Sequence, residues 1–117
     1  MMQRPDTVRR YLNAMEAGDL PAILACFEED AIAVSPVYGE VPVKPFYEKL
    51  VADTRHARVQ IQDLYFTEAG DGIAAHIDYQ WERQDGTRMH VDMVDLFSFR
   101  PDSDRIARLL IVFKPSS

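Results

Sequence analysis

Cysteine, glycine, basic charge and long apolar runs are all scarce in this sequence, and each scarcity closes a class of function. A single cysteine in 117 residues, Cys26, excludes an intrachain disulfide and a cysteine-built metal cluster. It also makes a reducing cytoplasm the expected setting. No apolar run approaches the roughly 20 residues that span a bilayer, and no signal-peptide pattern precedes the first helix-like segment. No membrane partner is expected. The 13 basic residues are outnumbered by 19 acidic ones, for a net charge of −6, and they are scattered. That excludes the clustered positive footprint of a nucleic-acid-binding protein. With only five glycines, the chain has no glycine-rich low-complexity tract, and it shows no repeat or linker.

What remains is ordinary for a soluble globular protein, with 47% hydrophobic and 27% charged residues. A chain of this length supports one core, so residues 1–117 read as a single domain. Pro5-Asp6-Thr7 opens a helix whose apolar positions are Val8, Tyr11, Leu12 and Met15, the spacing of one buried stripe. Gly18 ends that helix, and Asp19 is the expected cap of a second, short one with Pro21 in its first turn. Ile23, Leu24 and Phe27 are expected on the inward face of that helix. Cys26 beside them reads as a small buried thiol, because no neighbouring base would activate it.

Ala31–Ser35 is a short strand stopped by Pro36, residues 37–42 a loop, and Pro45 opens a third helix bearing Phe46, Tyr47, Leu50 and Val51. Strands follow over residues 58–67, 73–83, 88–99 and 105–113, with turn residues between them. Three helices followed by meandering antiparallel strands predict an α+β arrangement with the helices on one sheet face.

The most informative stretch is Met89–Phe99. Alternation puts Met89, Val91, Met93, Phe97 and Phe99 on one face, and Asp95 lies in phase with them. A carboxylate on a buried face is costly if ionised and unpaired. The cheaper states are protonation through a raised pKa or a dedicated partner. The turn Gln84-Asp85-Gly86 sets the register. A three-residue loop with Gly86 left-handed pairs Trp81 with Met89, Tyr79 with Val91 and Ile77 with Met93. It keeps both apolar faces together and sets Asp95 opposite Ala75. A two-residue turn would instead bring Asp95 beside His76.

The same register sets Asp78 across from Asp92 on the opposite face, with His76 and His90 nearby. Alternating His-x-Asp on two paired strands is a candidate oxygen/nitrogen metal site, but the expected reading is a solvated or interfacial polar face, with neither a metal nor another cofactor. Val94 and Leu96 should approach Leu110 and Val112 on that side. No helix remains to cover them, so a homodimer is expected.

Tyr11–Leu20, Phe27-Glu28-Glu29-Asp30-Ala31, Ser35-Pro36, Phe46-Tyr47 and Val94–Phe99 together resemble the ketosteroid isomerases. More broadly, they resemble the SnoaL-like group of the nuclear-transport-factor-2-like superfamily. The likeness runs over nearly the whole chain, with a shorter loop before Phe46. It implies a cone-shaped fold, a curved antiparallel sheet wrapped around a long N-terminal helix with two shorter helices, and a pocket between them. In that family a tyrosine and a protonated aspartic acid donate to a dienolate oxygen, forming an oxyanion hole, while a second aspartate moves the proton. Tyr11 and Asp95 fall on the two donors. Tyr47 falls on a tyrosine that supports the first donor by hydrogen bonding. Where the proton-moving aspartate should stand, just before a proline, this chain has Ser35.

A serine hydroxyl is too weakly basic to take a carbon-bound proton, and no Gly-x-Ser-x-Gly or histidine-paired arrangement activates it. Glu40 is the nearest carboxylate that would substitute; His76 would serve only in the two-residue register. Two readings follow. In one, Tyr11 and Asp95, with Ser35 at the base position, form the catalytic centre of an isomerase, cyclase or lyase acting through an enolate. Its small hydrophobic carbonyl or phenol-type ligand would be walled by Met15, Phe27, Phe46, Tyr47, Ile77, Met93, Ile111 and Phe113. In the other, the same scaffold is a non-catalytic ligand-binding or dimerisation module.

Overall fold

The computed structural model describes residues 3–36 and 38–114. Helix α1 (Arg4–Ala17) begins where the Gln3 N–H donates to the Asp6 carboxylate at 3.3 Å and Pro5 occupies the first turn. It ends at Gly18, whose φ of 68° lets the Gly18 and Asp19 N–H groups return to the carbonyls of Met15 and Ala14. Asp19 then caps α2 (Leu20–Ala25) by accepting from Ala22 N–H at 3.2 Å. Val8, Tyr11 and Leu12 are buried along one stripe of α1, with Met15 half-buried below them.

Strands β1 (Phe27–Ser35) and β2 (Gly39–Pro42) precede helix α3 (Val43–Asp53), which runs directly into β3 (Thr54–Phe66). Then come β4 (Gly72–Arg83), β5 (Arg88–Phe99) and β6 (Ile106–Lys114). The six strands form one curved, unclosed sheet in the order β2-β1-β6-β5-β4-β3. All neighbours pair antiparallel except β1 and β6, which are parallel, so the sheet is mixed at that seam.

The β4–β5 hairpin has the three-residue loop. Trp81 pairs with Met89, Ile77 with Met93 and Ala75 with Asp95, and Gly86 takes a φ of 89°, a conformation that a side chain would disfavour.

Three boundaries differ from the sequence reading. Phe27 begins β1 instead of ending α2, because α2 stops after one and a half turns and the Cys26 carbonyl accepts from Ile106 N–H at 2.8 Å. Residues 39–42 form an edge strand within the expected loop, held by pairing to β1. β3 starts four residues early, since Thr54 pairs with Arg83 and accepts a hydrogen bond from the Trp81 indole at 2.8 Å. Cys26 is buried, with its Sγ donating to the Ala22 carbonyl at 3.4 Å.

Two long-range ties seat α1 on the sheet. The Arg4 guanidinium donates to the carbonyls of Gly70 at 2.6 Å, Arg100 at 2.8 Å and Ser103 at 3.2 Å, and its carbon lies 5.2 Å from the centre of the Phe99 ring. At the other end, the Glu16 carboxylate accepts from Val59 N–H at 2.7 Å, anchoring the helix to β3. Tyr11 lies between these ties, so its position against the sheet is held from both ends.

Candidate functional site

The inner face of the sheet, the stripe of α1 and one side of α3 line a cavity of about 630 Å³. That volume falls in the range of roughly 300–1,000 Å³ typical of small-molecule sites. Tyr11, Tyr47, Ser35 and Asp95 line it with Met15, Phe46, Ile77, Met93, Ile111 and Phe113. These are the residues singled out in the sequence, with one exception: Phe27 stands behind the cavity. It packs edge-on against Tyr11, ring centres 5.4 Å apart, and belongs to the core.

Tyr11 is held by aromatic neighbours on three sides. Besides Phe27, the Phe97 ring lies 5.6 Å and the Tyr47 ring 5.9 Å away, each at a steep angle, the edge-to-face geometry that aromatic pairs favour. The hydroxyls of Tyr11 and Tyr47 are 2.5 Å apart and hydrogen-bonded. Burial, helped by Tyr47 and Asp95 nearby, pushes the Tyr11 hydroxyl well above its ordinary pKa. Burial does the same to Tyr47. Both remain protonated donors across the physiological range.

Asp95 sits in the middle of β5 with Ala75 opposite it on β4 and Ile111 opposite it on β6. It is 3% exposed, and its Oδ1 is buried without a hydrogen-bond partner. Burial alone pushes its pKa up to about 7, because no cation is close enough to favour the ionised form. The β5 alternation that buries Met93 and Phe97 carries the carboxyl inward with them.

Ser35 ends β1, directly before Pro36. It is buried, and its Oγ accepts from Tyr38 N–H at 3.4 Å. The two candidate replacement bases lie elsewhere. Glu40 is exposed on β2, with its carboxylate 3.5 Å from the Arg108 guanidinium. His76 faces outward, 2.6 Å from the Asp92 carboxylate, and His90 makes the matching diagonal contact with Asp78 at 2.6 Å. The three-residue loop turns all four of these side chains away from the cavity. Among the described residues no group of three or more His, Cys, Asp or Glu side chains is arranged to hold a metal ion.

The sequence reading did not single out the outer part of the cavity. Tyr79 also lines it, and burial with Asp95 nearby raises its hydroxyl pKa. Beyond Tyr79 stand Trp81 and Arg83 on β4, and Lys49 and Asp53 on α3. Arg83 Nε donates to Asp53 at 2.8 Å, and the guanidinium carbon lies 5.3 Å from the centre of the Trp81 ring. The signal was present in the β4–β5 register, which carries one inner face from Ala75 out to Arg83.

Solved structures similar to this chain share its fold. The epoxide hydrolase/cyclase-like enzyme SalBIII, described in pyran ring formation in salinomycin, is 20% identical with a TM-score of 0.79; the match covers 95% of this chain and 90% of that one. A protein with a ketosteroid isomerase-like fold from Catenulispora acidiphila, in complex with trimethylamine, is 18% identical with a TM-score of 0.78, covering 92% and 85%. AusH from Aspergillus nidulans is 10% identical with a TM-score of 0.80, covering 97% and 85%. No curated protein matches the sequence significantly. The SnoaL-like domain model matches residues 8–109, from the first turns of α1 into the middle of β6, and the chain therefore belongs to the SnoaL-like domain family.

Proposed function

We propose that the cavity binds a small hydrophobic carbonyl or phenol-type molecule, its oxygen accepting hydrogen bonds from Tyr11 and from the protonated carboxyl of Asp95. One observation carries this reading: the buried Oδ1 of Asp95 has no partner in a cavity otherwise walled by apolar and aromatic side chains. Leaving such a group unsatisfied costs roughly 1–3 kcal/mol, and a ligand oxygen would recover that. Developing negative charge on the oxygen would strengthen both bonds, which is how an oxyanion-type site favours an enolate. An isomerase, cyclase or lyase reaction on such a ligand fits this arrangement.

A non-catalytic binding module is the second reading, and the placement of the bases favours it. Ser35 cannot remove a carbon-bound proton, Glu40 and His76 lie outside the cavity, and Asp53 is held by Arg83. Titration with a fluorescent steroid-like phenol tests what both readings share. Wild type should bind the phenolate, and Tyr11→Phe and Asp95→Ala should each weaken binding by roughly tenfold to a hundredfold, the equivalent of about 1.5–3 kcal/mol for a charge-assisted bond. Absence of binding, or equal binding by all three proteins, would leave the buried pair a structural feature.

We also propose that a second copy of this chain covers the outer face of β5 and β6. Leu96 and Val112 are 37% and 47% exposed there, beside half-buried Val94 and Leu110, and among the described residues no helix packs on that side. Sedimentation at micromolar concentration should give a dimer for wild type and a monomer for Leu96→Asp. A monomeric wild type would count against this arrangement.

A further inference from the structure

The outer end of the cavity is built differently from its inner end. The inner face of β4 runs from Ala75, opposite Asp95, through Ile77, Tyr79 and Trp81 to Arg83. Eight residues of strand span roughly 26 Å, so the oxygen-binding pair and the charged rim lie toward opposite ends of one surface. Among the described residues the lining carries four carboxyl or basic side chains: Asp95 deep inside, and Lys49, Asp53 and Arg83 at the rim. Asp53 and Arg83 neutralise each other at 2.8 Å. Lys49 lies one helical turn before Asp53, on the same side of α3. It has no ion pair or hydrogen bond to any described residue, although the chain carries 19 acidic residues against 13 basic ones. A free ammonium on the wall of an apolar cavity is a receptor for an anion that enters with the ligand.

We propose that the ligand is an elongated apolar acid, with its carbonyl or phenol oxygen at Tyr11 and Asp95 and a carboxylate at its far end paired with Lys49. This rests on the pocket reading above and adds the chemistry of the second end. Trp81 and Met89, paired across β4 and β5, form the apolar wall along which the connecting chain lies. Arg83 is already paired with Asp53 and set against the Trp81 ring, which leaves Lys49 as the rim cation without an ion pair among the described residues.

The test uses two fluorescent probes long enough to reach both ends, 10-(6-hydroxy-2-naphthyl)decanoic acid and its N-methylamide. They share the phenol end and differ only in the charge at the other. Wild type should bind the acid roughly fivefold to tenfold more tightly than the amide, the scale of a partly exposed ion pair. That preference should fall as salt rises from 50 to 500 mM, since the lysine is solvent-exposed. Lys49→Met should bind both probes with the wild-type affinity for the amide, and Lys49→Arg should keep the preference. Equal binding of both probes by wild type would overturn the inference and leave the pocket reading intact. An acid preference that survives in Lys49→Met would overturn the role of Lys49. Binding of neither probe would overturn the pocket reading, and this inference with it.

Discussion

Replacing Asp95 with asparagine should make the stability of the protein gain on wild type steadily between pH 4 and pH 7, by about 4 kcal/mol in all. In the unfolded chain the Asp95 carboxyl loses its proton near ~3.9; in the folded protein burial keeps the proton on until about pH 7. Between those values the folded state binds more protons than the unfolded one, so folding weakens as pH rises, by about 1.4 kcal/mol per unit. Below the window both states are protonated and above it both are ionised, so the effect is fully developed by about pH 8. Asparagine keeps the shape and removes the titration. Every other titrating group is common to both proteins and cancels in the difference. Urea unfolding of the two proteins at pH 4, 6 and 8 measures it. A difference that stays constant across pH would show that Asp95 ionises as freely folded as unfolded. An effect of this size is a large part of the roughly 5–15 kcal/mol that holds a domain together.

The residues that carried the fold in the sequence are those whose local chemistry admits one answer. Gly18 and Asp19 ended one helix and began the next because a left-handed residue and a capping carboxylate have few other uses in that order. The β4–β5 register was legible because a one-residue slip would expose Trp81, Tyr79 and Ile77 together. Structure that depends on distant partners was not legible. Gly39–Pro42 has no alternation of its own and is a strand only because β1 supplies the hydrogen bonds. Thr54–Ala57 is too polar to be read as a strand, yet it is drawn into β3 by Arg83, Glu82 and Trp81 across the ladder. The parallel pairing of β1 with β6 joins segments about 75 residues apart, and no turn between them records it.

The candidate site divides in the same way. Phase alone put Asp95 on the buried face, and the apolar stripe of α1 marked Tyr11 as a hydroxyl in need of a partner, but the pairing of the two came only through the family resemblance. The hydrogen bond between Tyr11 and Tyr47 came only through the family resemblance, because nothing in the spacing of α1 and α3 brings two hydroxyls together. Phe27 was placed on a helix that ends two residues before it, and so was counted as cavity wall instead of the support behind Tyr11. The rim was missed for another reason. Lys49, Asp53 and Arg83 each look like ordinary surface charges, and only the meeting of α3 with the end of β4 makes them part of one opening.

The protonation state of Asp95 also decides what kind of ligand the inner end accepts, and pH separates the alternatives. A neutral steroid enone, which does not itself titrate, should bind with constant affinity up to about pH 7 and then lose tenfold for each further unit. Its carbonyl can only accept, so it requires the carboxyl that still holds a proton, and ionisation in the free protein removes that form. Tyr11 and Tyr47 do not contribute to the slope, because burial keeps both hydroxyls protonated well beyond this range. In Asp95→Asn the amide donates at every pH, so binding should persist and the profile should be flat. Fluorescence quenching or calorimetry from pH 5.5 to 9 gives the curve directly. If affinity instead rises through pH 7, the ionised carboxylate is the binding form. The ligand then brings a donor or a positive charge to Asp95, and enolate stabilisation by this pair is ruled out. If the curve is flat in wild type, Asp95 does not touch the ligand, and the orphaned oxygen at the centre of the cavity is a cost the fold bears without using it.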